Sequence, residues 1–224
     1  MKTMFLAFTV LTVLGIAITM MKLEGRVRSA ALLGLSVWLI YVGSLSYFGV
    51  IADTKHTLPG PAFIMIPVVL FAVLFLTRSK AAARIALIIP VSLLLGAQVF
   101  RVIVEIFLHH LAGMGLLPRM MTFEGANFDI VTGLSAPIVA WAYVTGRLSV
   151  NGAILWNIFG LFMLANIVIR AIMTTPGPLH QWVTEVPNLA IGIFPYSFIP
   201  GLMVPLALTL HILAIRSLRA SSRV

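Results

Sequence analysis

Four residues in one apolar run offer chemistry that hydrocarbon does not ask for: Gln98, Arg101, Glu105 and His109, in AQVFRVIVEIFLHHLAGM. On a helix, at about 100° per residue, they fall within an arc of about 80° and make a single polar stripe, with His110 roughly opposite. The stripe holds a cation that can bind an anion, a carboxylate that can take up a proton, and an imidazole that can exchange one. Arg101 and Glu105, one helical turn apart, are each other's obvious local partners. A charged residue at membrane depth is costly, so it reads as functional with a partner to be named. Asn166 and Arg170 repeat the four-residue spacing in a later run, so two arginines share one carboxylate at that depth. Unless Asp129 reaches inward to neutralise the second, the surplus positive charge suits a ligand carboxylate or phosphate held bidentately. The plainer readings are an Arg101–Glu105 pair that glues helices and an Arg170 that snorkels to the interface.

Other polar residues fit around this stripe. Tyr41, Ser44, Ser46 and Tyr47 lie in one earlier run, and Tyr196 and Ser197 stand between Pro195 and Pro200 in the last. Pro195, Pro200 and Pro205, at five-residue spacing, free backbone carbonyls and permit bending or unwinding. The connection PRMMTFEGANFDI interleaves Glu124, Asn127 and Asp129 with Phe123 and Phe128. Either Asn127 caps the helix that follows, with Asp129 at its positive end, or Glu124, Asn127 and Asp129 line the mouth of a cavity. With no cysteine, thiolate catalysis, thiolate-bound metals and disulfides are excluded. His109 and His211 lie at different expected depths, which argues against a bis-histidine haem. No metal-binding spacing supports a zinc site, although His56, His109 and His180 with a carboxylate leave an outer one geometrically open. No cofactor is expected.

What must position these residues is a membrane domain. Of 224 residues 61% are hydrophobic and 9% charged, against about 45–50% and about 25% in soluble domains, so a soluble globular protein and a disordered chain are both excluded. A span needs about 20 apolar residues. Seven stretches qualify, at 3–21, 29–51, 61–77, 85–111, 129–146, 152–173 and 188–215, which predicts an all-α, seven-helix membrane protein with no separate soluble domain. The first run lacks a small-x-small cleavage site and reads as a retained helix. Lys22, Arg26, Arg28, Arg78, Lys80, Arg84, Arg147, Arg216, Arg219 and Arg223 fall on alternate boundaries, whereas the opposite ones hold only Lys2, Lys55 and Arg119. The positive-inside rule then puts the N-terminus outside and the C-terminus in the cytoplasm, in the cell (inner) membrane. The net charge of +9 is thereby explained by topology, and nucleic acid is not an expected partner.

Pro67 precedes Arg78-Ser79 by the same offset as Pro205 precedes Arg216-Ser217, and Gly25-Arg26 echoes Gly146-Arg147. These echoes fit a parallel three-plus-one-plus-three plan within the single domain 1–224, with repeats 1–80 and 129–219 linked by helix four. That plan is similar in architecture to the SWEET-type sugar carriers. Seven helices with an outside N-terminus also resemble microbial rhodopsins, but the chain's lysines stand only at 2, 22, 55 and 80, and none is in the last helix for a Schiff base. The segment RVIVEIFLHH followed by MTFEGANFDI resembles a pattern from uncharacterised bacterial membrane proteins, to which no activity is attached.

The leading expectation is a carrier that binds a small polar, anionic ligand in an outward-facing cavity formed by Gln98, Arg101, Glu105, His109, Asn166, Arg170, Tyr41 and Tyr196. Two alternatives stay open. One is a membrane-embedded enzyme acting on a lipid-type substrate at the outer leaflet, with Glu105 or His109 as acid, base or metal ligand. The other is a non-catalytic sensing or assembly subunit, in which both arginines would be fully paired. Besides the bilayer and the ligand, a helical partner or second copy within the membrane is also open.

Overall fold

The computed structural model describes residues 1–53 and 60–221, and among these every regular element is a helix. With lipid as solvent each backbone N–H must find a carbonyl within its own segment, which is the helix's solution. The elements are α1 (Lys2–Met20), α2 (Gly25–Tyr47), α3 (Ala62–Leu70) continued by a π-turn at Phe71–Leu76, and α4 (Lys80–Ile88). α5 (Val91–Gly96) and α6 (Phe100–Gly113) join through a short 3-10 turn, and α7 (Asp129–Val144) and α8 (Val150–Thr174) follow. A second π-turn, Ile199–Met203, leads into α9 (Val204–Ser221).

Among the described residues five rods are long and apolar enough to cross a membrane: α1, α2, Val91–Gly113, α8 and Ile199–Ser221. Ala62–Leu76 and Lys80–Ile88 make a sixth if the 80° bend between them is taken within one span. α7 is apolar but has only 16 residues. Two expected boundaries move. The stretch expected at 85–111 starts at Val91, because Pro90 has no N–H to continue a helix and forces Ile89 into extended geometry (ψ 124°). The stretch expected at 188–215 is continuously helical only from Ile199, after a loop holding the 3-10 turn Ala190–Gly192.

Helix ends follow local chemistry. α6 and α7 stop where Gly115 (φ 70°) and Gly146 (φ 71°) take the left-handed conformation that other residues resist. Leu116 N–H then returns to Leu111 O at 3.0 Å and Arg147 N–H to Ala142 O at 2.9 Å, closing both ends. Ser79 starts α4 by accepting the Ala82 N–H at 2.9 Å. α4 exposes Lys80 and Arg84 and buries Ala82 and Ala86.

The prolines are compensated from α2. Pro205 has no N–H for Gly201 four residues earlier, and Trp38 Nε1 donates to that carbonyl at 2.6 Å. Pro67 leaves the Phe63 carbonyl in the same state, and the Tyr41 hydroxyl donates to it at 3.0 Å. Trp38 and Tyr41 are one turn apart, their rings 5.5 Å between centroids. At the other end of α3, Arg216 of α9 donates to Leu76 O and, at 3.0 Å, to Ser79 O, so one guanidinium ties off the carbonyls at the bend.

The core is split in two. Phe5, Val104, Phe107, Leu111, Leu164 and Met203 belong to one apolar cluster, and Leu76, Ala86, Leu94, Leu95, Leu213 and Ala214 to the other. Along α5–α6 the residues between the clusters are Gln98 and Arg101, and along α9 His211, all buried.

Trp38→Phe retains a large ring but removes the donor to Gly201. It is expected to lower stability by about 1–3 kcal/mol, and Tyr41→Phe, at a more open site, by about 0.5–1.5 kcal/mol. Unfolding midpoints in detergent test this; unchanged midpoints in both variants would show that those carbonyls do not depend on α2.

Candidate functional site

The polar layer is built around Arg101. With the helix restarting at Val91, Arg101 lies ten residues in, about 15 Å along the rod. Its Nε donates to Asp129 Oδ2 at 2.7 Å and its Nη2 donates to Oδ1 of the same carboxylate, a bidentate pair. Nη2 also reaches Gly160 O at 3.4 Å, and Nη1 lies 2.8 Å from His211 Nε2. A guanidinium can only donate, so Nε2 accepts and the imidazole proton sits on Nδ1. That N–H is given to Asn157 Oδ1 at 2.8 Å, and Asn157 Nδ2 donates to Ala153 O at 2.8 Å. Arg101, His211 and Asn157 are between 0% and 2% exposed.

The expected local pair is therefore corrected: Arg101 is held by Asp129 and not by Glu105. α7 begins beside α6 instead of beyond its end, because Gly133, one turn into α7, lies against Arg101 and Val102 where a Cβ would come within 2.8 Å of Val102 Cγ2. This puts the first residue of α7 level with the guanidinium. Glu105 turns to Asn127, whose Nδ2 donates to Oε1 at 2.5 Å and to Met121 O at 3.1 Å. Asn127 Oδ1 accepts the Asp129 N–H at 3.0 Å, an Asx-type turn just ahead of α7, whose N-cap residue is Phe128, while its Nδ2 binds the buried carboxylate. Glu105 Oε2 has no hydrogen-bond partner among the described residues.

The remaining predicted residues separate. Gln98 is buried and donates to Ala207 O at 3.1 Å. His109, at the rim, stacks on Phe123 with ring centroids 5.1 Å apart, and its Nδ1 is 3.8 Å from Glu124, which is exposed and paired with Arg119 at 3.2 Å. Asn166 ties α8 to the loop before α7 by donating to Ala126 O at 3.0 Å, and it accepts from Arg170 Nε at 3.0 Å. The Arg170 guanidinium also lies 5.6 Å from the Trp182 ring centre. Tyr41 donates to the Phe63 carbonyl that Pro67 leaves free, and Tyr196 is buried against Phe5 with its hydroxyl unpartnered among the described residues. His180 is exposed, and His56 lies outside the described residues. Among the described residues no three potential metal ligands come together.

His211, Asn157 and Gly160 were absent from the expected site. His211 stands ten residues before the end of α9, about 15 Å in and level with Arg101. Gly160 is small because the His211 ring occupies the space its side chain would need. A polar or ionisable residue at mid-span in each of two further runs was the available signal.

A second feature adjoins this layer. A cavity of about 480 Å³ lies between α3, α6, α8 and the start of α9, under the segments 117–121 and 175–191. That size is in the range of about 300–1,000 Å³ typical of small-molecule sites. Its wall includes Ile64, Leu108, Ile167, Ile172, Ile199 and Val204, no charged side chain is among the described residues that line it, and Ile66 and Leu179, about half exposed, mark its rim. Gln98, Arg101, Glu105 and His109 do not line it. Outside the helices, Glu185 clamps the covering segments together by accepting the Arg119 N–H at 2.6 Å, a bond that holds its carboxyl below the usual carboxylate range.

A family model described as a domain of unknown function, DUF8737, matches residues 58–219. The chain belongs to that family. The DUF8737 region runs from the lead into α3 to the last turn of α9 and so contains both the Arg101 layer and the cavity, while α1 and α2 precede it. No curated protein and no solved structure matches the chain.

Asp129→Asn strips the buried guanidinium of its counter-charge and is expected to cost about 3–5 kcal/mol, whereas Arg101→Met with Asp129→Leu removes both charges and recovers most of that loss. Equilibrium unfolding in detergent measures both, and a double variant no better than the single one would contradict a closed structural pair.

Proposed function

We propose that this chain is an integral membrane protein that takes one lipid-type hydrocarbon chain from the surrounding leaflet into the cavity between α3, α6, α8 and α9, as a binding or sensing component without turnover. The observation that carries this reading is the cavity: about 480 Å³, with a wall that is apolar and without a charged side chain among its described residues, rimmed by Ile66 and Leu179. In a bilayer an apolar opening of this kind faces hydrocarbon, so the chains of lipids are its natural occupants. A small-anion carrier needs surplus positive charge at an accessible site. Arg101 is instead matched by Asp129 with His211 and Gly160, and Arg170 is engaged by Asn166 and Trp182.

The same reading takes seven crossings. α3 with its π-turn and the short α7 join the five long rods, and α4, turned by 80° with Lys80 and Arg84 on its exposed side, lies along the interface as an amphipathic helix. The uneven distribution of basic residues supports an outside N-terminus and cytoplasmic C-terminus in the cell membrane, with the cavity in the outer half.

Long-chain alcohols and fatty acids are expected to stabilise the detergent-purified protein saturably, by about 2.7 kcal/mol at a hundredfold excess over Kd. Ala171→Trp, which fills the cavity from α8, should abolish the rise. Stabilisation by small carboxylates or phosphates alone would overturn this reading in favour of a carrier.

A further inference from the structure

The bend between α3 and α4 collects positive charge. Arg78, Lys80 and Arg84 are exposed, and Arg216 of α9 is brought to the same place by donating to Leu76 O and Ser79 O. Both of those acceptors are neutral, so Arg216 is fixed in position without losing its charge. Among the described residues no carboxylate pairs with any of the four.

α4 sets two of these cations on a mixed surface. At about 100° per residue, Lys80, Arg84, Leu87 and Ile88 fall within an arc of about 100°. All four are exposed, Leu87 by 63% and Ile88 by 42%. The other side carries Ala82 and Ala86, buried in the apolar cluster that contains Leu213 and Ala214 of α9. Along the exposed face the order is basic first and apolar last: at about 1.5 Å per residue, Ile88 lies about 6 Å beyond Arg84. A phospholipid standing in a leaflet has the same order, phosphate and then hydrocarbon. A soluble anion would use the bases and leave Leu87 and Ile88 uncovered, whereas an amphiphile meets both.

We propose that the exposed face of α4 is a docking site for an anionic phospholipid, with its phosphate on Lys80 and Arg84, its chains against Leu87 and Ile88, and Arg78 and Arg216 adding to the field. The proposal rests on the interfacial placement of α4 given above and is independent of what fills the cavity. A zwitterionic headgroup presents its own ammonium to the same bases and gains less, so the site selects by net headgroup charge.

The test uses the full-length protein in detergent and two lipids with identical chains, dioleoylphosphatidylglycerol and dioleoylphosphatidylcholine, with titrated thermal stability giving a Kd for each. The anionic lipid is expected to bind about tenfold more tightly, and inorganic phosphate at the same concentration to have no effect. Lys80→Gln with Arg84→Gln should remove most of that preference. Lys22→Gln with Arg26→Gln, an equal loss of charge that the positive-inside reading puts on the same side, should leave it intact. Equal affinity for the two lipids, or equal losses in the two double variants, would overturn the site while leaving α4 at the interface; stabilisation by inorganic phosphate as strong as by the lipid would replace it with a soluble-anion site. The placement itself is read separately. Leu87→Cys carrying a nitroxide, in a chain that has no other cysteine, should be more accessible to oxygen than to a water-soluble nickel chelate in bilayer nanodiscs. The opposite order would overturn the placement and the proposal together. Because the comparison of lipids is made on the unaltered protein, it stands whatever the variants do to folding.

Discussion

Burying a guanidinium at mid-span dictates much of the rest of this structure. Arg101 cannot be left without a counter-charge and without acceptors for its other N–H groups. Asp129 meets the first need only because α7 starts alongside α6, and that start depends on Gly133 allowing the two helices to touch. His211 meets the second as a neutral imidazole, which obliges Asn157 to take its proton and Gly160 to have no side chain. Four rods, from α6 to α9, are thereby fixed in depth and rotation by one cation.

The network also separates two apolar clusters, and this has a mechanical meaning. Dispersion packing between lipid-like side chains is non-directional and tolerates sliding, whereas a bidentate ion pair followed by an imidazole and an amide fits at one register only. The buried polar layer therefore acts as the registration mark of the bundle, the best-attested use of buried polar groups.

The region beyond this layer is built differently. Segments 114–128 and 175–198 are mostly irregular backbone, held to each other and to the helices by Leu116 O, Asn127, Asn166 and Glu185. Irregular chain can enclose a volume that close-packed helices would fill, and the apolar cavity lies under this cover. On the side of α2, Trp38 and Tyr41 supply the hydrogen bonds that Pro205 and Pro67 withhold, so α3 and α9 keep their broken geometry without orphaned carbonyls.

Composition alone pointed to lipid as the solvent and to an all-helical chain, because an apolar chain must satisfy its own backbone, and helices are the only regular elements among the described residues. Local chemistry also made the weakness at Pro200 and Pro205 legible, since it depends on a missing N–H. Periodicity placed Gln98, Arg101 and Glu105 on one buried stripe as well. It gives an angle about the helix axis, however, and not a depth. Depth changed when Pro90 restarted the rod at Val91, and with it the partner of Arg101 passed from Glu105, four residues away, to Asp129 and His211 in other helices. Whether two groups in different helices share a level, and whether the space beside them is filled or empty, is decided by helix starts and close approaches, which only the tertiary structure determines.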